Sequence, residues 1–519
     1  MEFRMKSNSE TADQFGLPYL TSLLSYPFVQ SKVQKIPYAM AKHRRLLPIG
    51  EEDGYLIVAV ADPLDLEAIE EVRYFTGQKT REVCAPLNAL EEAIERCFHQ
   101  QEQATTQLIA ELSTNVRSQV EEGAEYDLLE QTSDAMAVRL LNSILTEAIQ
   151  QGASDIHFEP QESGLSIRYR IDGVLQTRHA PPKDLTTQLI ARIKVMAALD
   201  IAEQRLPQDG RIKLKLGVRH IDFRVSTIPV VFGERVVMRI LDKGNVLLGL
   251  PKLGMPPLVL SGVEKLLQMS EGIILVTGPT GSGKTTTLYS ALMELSSDEI
   301  NIMTIEDPVE YKLPKMAQIG VQSKIGLNFA TGLRHILRQD PDVIMIGEIR
   351  DRETAEIAIQ ASLTGHLVLS TLHTNDAPSA ITRLIDMGIE PYLLSSSLIG
   401  VLAQRLVRTI CPSCKKKYTP SDAERAELPV LGDGSFYRGE GCDACLGTGY
   451  KGRCGIYELM PMTTPIRRQI IQSPDAGAIR TATQGTGMTT LRTAGAELVY
   501  AGITTTAEVL RVTSAIEEI

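Results

Sequence analysis

The chain has 519 residues, 43% hydrophobic and 23% charged, with a formal net charge of −11 at pH 7. That length spans roughly three or four domains, each large enough to bury a core. The acidic balance argues against a protein built to grip nucleic acid, and no apolar run of about 18 residues marks a transmembrane helix.

The N-terminal M-E-F-R-M-K-S-N-S-E has no apolar stretch of the secretory kind, so a cytoplasmic protein is expected. The L-I-V-A-V run at 56–60 reads as a strand. A turn at Asp62-Pro63 follows, with Asp65 placed to cap a helix. Residues 87–98 form an amphipathic helical pattern. Residues 121–134, E-E-G-A-E-Y-D-L-L-E-Q-T-S-D, are acidic without Lys or Arg and read as linker. Val138, Leu141, Leu145 and Ile149 then recur at helical spacing. I-H-F-E-P, L-S-I-R-Y-R-I, R-H-I-D-F-R-V-S and G-E-R-V-V-M-R-I-L alternate as strands. K-G-N-V-L-L-G-L-P-K-L-G-M-P-P, at 243–257, is a hinge by composition. The expected domains are 1–105, a linker 106–133, 134–242, the hinge 243–257, and 258–519.

The run G-P-T-G-S-G-K-T-T at 278–286 follows the apolar strand G-I-I-L-V-T and precedes a helical pattern. It fits the phosphate-loop motif in full. Gly278, Pro279, Thr280, Gly281, Ser282, Gly283, Lys284, Thr285 and Thr286 are the candidate nucleotide-binding residues. Glycines let backbone N–H groups converge on a phosphate, and Lys284 reaches the β and γ phosphates. The Thr285 hydroxyl can ligate Mg²⁺. ATP or GTP is the ligand class.

Three later segments bear on turnover. V-I-M-I-G-E is a buried strand with Glu348 at its end, where P-loop folds place acids facing the metal and the attacking water. T-I-E-D-P-V-E offers Glu306 and Glu310 to orient or deprotonate water. Either Glu310 or Glu348 can position water while the other holds Mg²⁺ through its hydration shell. In G-H-L-V-L-S-T-L-H-T-N, His366 and His373 flank a strand, and His373 with Thr371 and Asn375 can sense a γ-phosphate.

The order G-P-T-G-S-G-K-T-T, T-I-E-D-P-V-E, P-D-V-I-M-I-G-E-I-R-D and G-H-L-V-L-S-T-L-H-T-N resembles the secretion ATPase superfamily. There the four segments are the Walker A, Asp box, Walker B and His box. From about 135 to 519 the chain is similar to the branch that powers type II secretion and type IV pilus extension. The resemblance implies an α/β chain: a RecA-like P-loop domain, a PAS-like α+β N2 domain before it, and a small α/β N1 domain. It also implies ATP hydrolysis and a ring, expected to be a hexamer. Arg211, Arg224 and Arg239 lie in segments resembling those whose arginines close on the nucleotide phosphates, and Arg235 lies beside them. Arg334 and Arg338 are either structural or in contact with a neighbouring subunit.

Of the seven cysteines, Cys411 with Cys414 and Cys442 with Cys445 form two C-x-x-C pairs. Together they can close a four-thiolate shell, which predicts a structural Zn²⁺ site within about 408–455, ahead of a helical part at 456–519. The segment S-D-A-E-R-A-E-L between the pairs reads as a helical insertion. Cys84, Cys97 and Cys454 read as small buried residues. The resemblance places the tetracysteine element in secretion and pilus-extension ATPases and implies docking on a polytopic platform protein. I-P-Y-A-M-A-K-H-R-R-L-L-P-I, at 36–49, looks like the start of an N1 domain that binds the cytoplasmic part of an inner-membrane secretion protein. The chain is therefore expected to be cytoplasmic, held at the inner membrane by partners. No R-L-G occurs, which favours the secretion branch over pilus extension. A nucleic-acid translocase is the competing class. The charge and the absence of Trp count against it, and no nucleic-acid partner is expected.

Overall fold

A computed structural model describes residues 17–20, 23, 36, 40–41, 44–52, 54–63, 65–99, 126–127, 136–216, 219–242, 249–428, 435–483, 485 and 487–513. Most of the acidic linker, the start of the second module at Asp134, hinge residues 243–248 and the Cys97 side chain lie outside the described residues. So does most of 36–43 in the segment read as the start of N1. The chain divides into two units, Met1–Gly244 and Asn245–Ile519. Among the described residues, no helix is long and apolar enough to cross a membrane.

Among the described residues, the first unit contains two sheets. β1 (Leu46–Glu52) and β2 (Tyr55–Val60) are an antiparallel hairpin, and β3 (Thr80–Cys84) runs parallel to β2. The crossover is α1 (Leu66–Thr76), and α2 (Leu87–His99) follows. Asp65 caps α1 as expected, accepting from the Ala68 N–H at 3.1 Å. Cys84 is buried in this core.

The second sheet has seven strands. They are β4 (Tyr126–Asp127), β5 (Ala153–Gln161), β6 (Gly164–Ile171), β7 (Val174–His179), β8 (Gln208–Leu216), β9 (Arg219–Val230) and β10 (Gly233–Asp242), in the order β4-β8-β9-β10-β5-β6-β7. Two helices, α3 (Met136–Gln150) and α4 (Lys183–Met196), bury Leu141, Leu145, Leu189 and Ile193 against one face. Strand alternation leaves the other face polar.

The second unit opens with α5 (Pro257–Leu267), β11 (Gly272–Thr277) and α6 (Lys284–Leu295). Next come β12 (Ile302–Glu306), β13 (Ala317–Gly320), α7 (Phe329–Ile336), β14 (Val343–Ile346), α8 (Arg352–Leu363) and β15 (Leu367–Leu372). Beyond them lie α9 (Ala377–Asp386), α10 (Pro391–Ser397) and β16 (Leu398–Ile410). A small module holds β17 (Lys415–Tyr418), α11 (Asp422–Ala426) and β18 (Phe436–Gly439). β19 (Tyr450–Pro461) then returns to the sheet, and α12 (Thr464–Gln472), α13 (Ala476–Thr483), α14 (Leu491–Tyr500) and α15 (Thr506–Thr513) follow it.

The main sheet runs β13-β12-β14-β15-β11-β16-β19 and is parallel except for β19. Its central strands are apolar on both sides because helices cover both faces. One core holds Ile274, Val276, Leu369 and Leu402 with α5 and α6. The other holds Leu275, Ile344, Val368 and Ala403 with α7, α8 and α9. The expected helical insertion is the short α11, capped by Ser421.

Candidate active site and metal centre

Thr277 ends β11, and the loop 278–283 runs straight into α6 at Lys284. This lies at the carboxyl end of the parallel strands, where open α/β sheets bind ligands. Gly278 has φ +150°, and a Cβ there would lie 2.4 Å from the Gln404 carbonyl oxygen, so the close approach needs glycine. Gly283 is left-handed and delivers the chain to the first turn of α6, whose free N–H groups and positive dipole suit an anion. Lys284 is buried, and its Nζ donates to the Gly278 and Pro279 carbonyls at 2.7 and 3.1 Å. Burial pushes its pKa down to about 8, against the charge of Glu348 and with that of Arg405.

Ser282 is 3% exposed, and its buried Oγ has no hydrogen-bond partner. A buried hydroxyl without a partner, a buried lysine and a helix N-terminus make a cradle that fits a nucleotide phosphate. Pro279, Thr280, Gly281 and Thr285 are exposed, and Thr286 is half-buried. Thr285 stands in the first turn of α6, where its hydroxyl can serve a phosphate-bound Mg²⁺.

Glu348 follows β14, and His373 follows the neighbouring β15. One Glu348 oxygen lies 2.5 Å from Arg350 Nη2 and the other 3.2 Å from His373 Nε2. Burial would raise the Glu348 carboxyl, but Arg350 and His373 hold it below the usual range. Burial first, then the Lys284 charge, lowers His373, against Glu348. Near neutral pH the pair is a carboxylate with a neutral imidazole. His366 sits at the opposite end of β15, where its Nδ1 lies 2.8 Å from the Ala361 carbonyl oxygen. It stands apart from the loop.

The two glutamates of the T-I-E-D-P-V-E segment differ sharply. Glu306 is 4% exposed. It accepts from the Tyr289 hydroxyl, from Thr304 Oγ1 at 2.6 Å and from Gln318 Nε2 at 3.1 Å. Its oxygens are committed to the protein, which removes it as a base for water. Glu310 is half-buried.

Within the first unit, Arg211 pairs with Arg224 across β8 and β9, and Arg224 with Arg239 across β9 and β10. Asp155 and Arg170 continue the row on β5 and β6. Arg239 Nε lies 3.0 Å from Asp155, and Arg235 Nη2 lies 2.7 Å from Glu159. Three arginines far apart in sequence thus stand side by side on the polar face. Arg334 pairs with Glu353 at 2.5 Å, and Arg338 donates to the Arg334 carbonyl at 3.0 Å.

The four sulfurs of Cys411, Cys414, Cys442 and Cys445 all lie within 4.8 Å of one another. Three pairs measure 3.8, 3.8 and 3.7 Å. A tetrahedral Zn–S₄ shell with Zn–S of about 2.3 Å has edges of about 3.8 Å, so the cluster fits that ion. Cys445 Sγ also accepts the N–H groups of Cys442 and Gly449, which hold its thiol down at about 6 against burial. Cys454 is half-buried and separate from this cluster.

Several residues at the loop lie outside every sequence motif. Tyr289 carried only a helical pattern. Gln404 and Arg405 lie in no motif, yet Gln404 touches the phosphate loop and Arg405 the turn after His373.

Residues 130–511 match the model of the Type II/IV secretion system protein family, and residues 15–104 match that of the MshEN domain. Type II secretion system protein E of Pseudomonas aeruginosa is 48% identical over 485 residues, 92% of this chain and 96% of that one. The type IV pilus assembly ATPase PilB of Myxococcus xanthus is 43% identical over 504 residues, 96% of this chain and 89% of that one. The Legionella pneumophila ATPase DotB shares the fold, with a TM-score of 0.55 at 20% identity over 75% of this chain and 99% of its own. The chain belongs to the Type II/IV secretion system protein family and is an ATPase.

Proposed function

We propose that this chain is the ATP-hydrolysing motor of a type II secretion machine, working on the cytoplasmic side of an inner membrane. The carrying observation is the convergence of buried Lys284 with the Glu348–His373 pair at the phosphate loop. Lys284 and the N–H groups of the first turn of α6 take up phosphate charge. The Thr285 hydroxyl holds Mg²⁺, which supplies Lewis-acid stabilisation when bound. Glu348 and Glu310 share the tasks of fixing the metal's water shell and accepting the proton of the attacking water. His373 reads the γ-phosphate through its contact with Glu348. Arg211, Arg224 and Arg239 act as one cationic row that closes on the nucleotide as the ring cycles. Cys411, Cys414, Cys442 and Cys445 hold a structural Zn²⁺, and their module docks on a polytopic platform protein.

The name of the P. aeruginosa relative supports secretion, and that of the M. xanthus relative keeps pilus extension as the second reading. The MshEN match supports residues 1–105 as the partner-binding region, recruiting an inner-membrane protein. A hexamer of this chain is the working form. The test is capture of partners from detergent-solubilised membranes with the tagged full chain, identified by mass. A bitopic secretion protein supports the reading, and pilus components move the chain to the second one.

A further inference from the structure

β16 lies between β11, which leads into the phosphate loop, and β19. At its middle stand two consecutive buried polar residues, Gln404 at 2% and Arg405 at 7% exposure. Successive side chains on a strand point to opposite faces. Leu402 packs with α6 on one face and Ala403 with α9 on the other, so Gln404 and Arg405 continue the two faces.

Gln404 Nε2 donates to the Ser282 carbonyl at 2.8 Å, and its Oε1 accepts from Thr287 Oγ1 at 2.7 Å. The carbonyl acceptor fixes which way the amide points. One side chain thus bridges the last turn of the phosphate loop to α6. Its backbone and amide also fill the space that a Cβ on Gly278 or Gly283 would need, at 2.4 and 2.8 Å. On the other face, Arg405 Nη2 donates to the Asn375 carbonyl at 3.2 Å and to Asn375 Oδ1 at 2.9 Å. Asn375 lies two residues past His373. The intervening Thr374 is already tied to Thr277 at the root of the phosphate loop, by a 2.6 Å hydroxyl pair and a 3.0 Å N–H bond.

We infer that Gln404 and Arg405 are positioning residues for phosphoryl transfer: Gln404 shapes the phosphate loop, and Arg405 holds the turn that aims His373 at Glu348. The inference rests on the reading of this loop as the site of ATP hydrolysis. Two neighbouring residues then have separable effects. Removing Gln404's bonds leaves a buried carbonyl and hydroxyl without partners inside the nucleotide cradle, which weakens binding. Removing Arg405 leaves the cradle intact and loosens the His373 turn, which slows the chemical step.

The test uses the full chain, an N-methylanthraniloyl-ADP titration for affinity, and phosphate release for turnover. Gln404→Leu is expected to weaken the ADP probe about tenfold or more. Arg405→Gln is expected to keep the probe affinity within about twofold while kcat falls about tenfold or more, with partial rescue in Arg405→Lys. Where either variant fails to fold, Thr287→Val and Asn375→Ala remove the partner atoms instead, with the same split in smaller measure. Wild-type affinity in the Gln404 or Thr287 variant overturns the inference. So does wild-type kcat in the Arg405 or Asn375 variant, or an equal loss of both quantities in both sets. A wild-type chain that neither binds the probe nor releases phosphate fails the underlying reading instead, before any variant is compared.

Discussion

His373 Nε2 lies 3.2 Å from a carboxylate oxygen of Glu348, joining the ends of two adjacent parallel strands. With Arg350 on the other oxygen, Glu348 is held in one orientation and kept ionised. Glu348→Gln keeps the shape and removes the charge. Nucleotide binding should persist, while turnover falls about a hundredfold or more. Equilibrium binding beside phosphate release checks this. Unchanged turnover would transfer the role of base to Glu310.

Burial disfavours the Lys284 ammonium and pushes its pKa down to about 8. Phosphate charge favours the ammonium, so the pKa rises on binding. Its charge is present below about pH 8 and is lost above it. Affinity for ADP should therefore fall as pH rises through that value. Lys284 should therefore take up more proton on binding at pH 9 than at pH 7. Calorimetry in two buffers of different ionisation enthalpy reads the difference directly. Equal proton uptake at the two pH values would mean that Lys284 is not the group responding.

Much of this site was legible because its residues sit in contiguous motifs. The loop 278–286 carries its chemistry in spacing alone, and Cys411, Cys414, Cys442 and Cys445 declare a tetrahedral shell by pairing. What was not legible depends on contacts across the sheet. Glu306 and Glu310 looked alike in sequence. They separate only when Tyr289, Thr304 and Gln318 are seen to enclose Glu306. Arg211, Arg224 and Arg239 share a row through strand register, which no local pattern encodes. Gln404 and Arg405 escaped notice because an ordinary strand dipeptide gains its role from the loops on either side.

The enclosure of Glu306 separates the two acids experimentally. Tyr289→Phe removes one donor from a buried carboxylate and should lower stability by about 1–3 kcal/mol. Glu306→Gln should likewise lower Tm, because at least one of its three donors would face an amide NH₂ in place of an oxygen. Glu310→Gln should leave Tm unchanged and reduce turnover. Thermal unfolding and phosphate release on the three variants test this pattern. Full stability in Glu306→Gln would show that the network carries little.

The metal module hangs from the ribbon of β16 and β19: Cys411 follows β16 directly, and its N–H bonds the Gly449 carbonyl at 2.9 Å. Among the described residues, a two-stranded sheet and α11 fill the span between the cysteine pairs. Leu428 and Phe436 of this span are buried in the main core, and a Zn²⁺ held by the four thiolates would add folding energy to that fastening. Cys411→Ser with Cys414→Ser should drop bound zinc from about one per chain to none. Proteolysis should then cut within 415–441, while ADP binding stays near wild type because Gln404, the β16 residue that touches the phosphate loop, stands seven residues before Cys411 and is packed in the sheet. Metal analysis and limited proteolysis check both halves. A double variant that retains zinc would dismiss the four-cysteine site, and one that loses zinc but resists cleavage would show that the module folds without it.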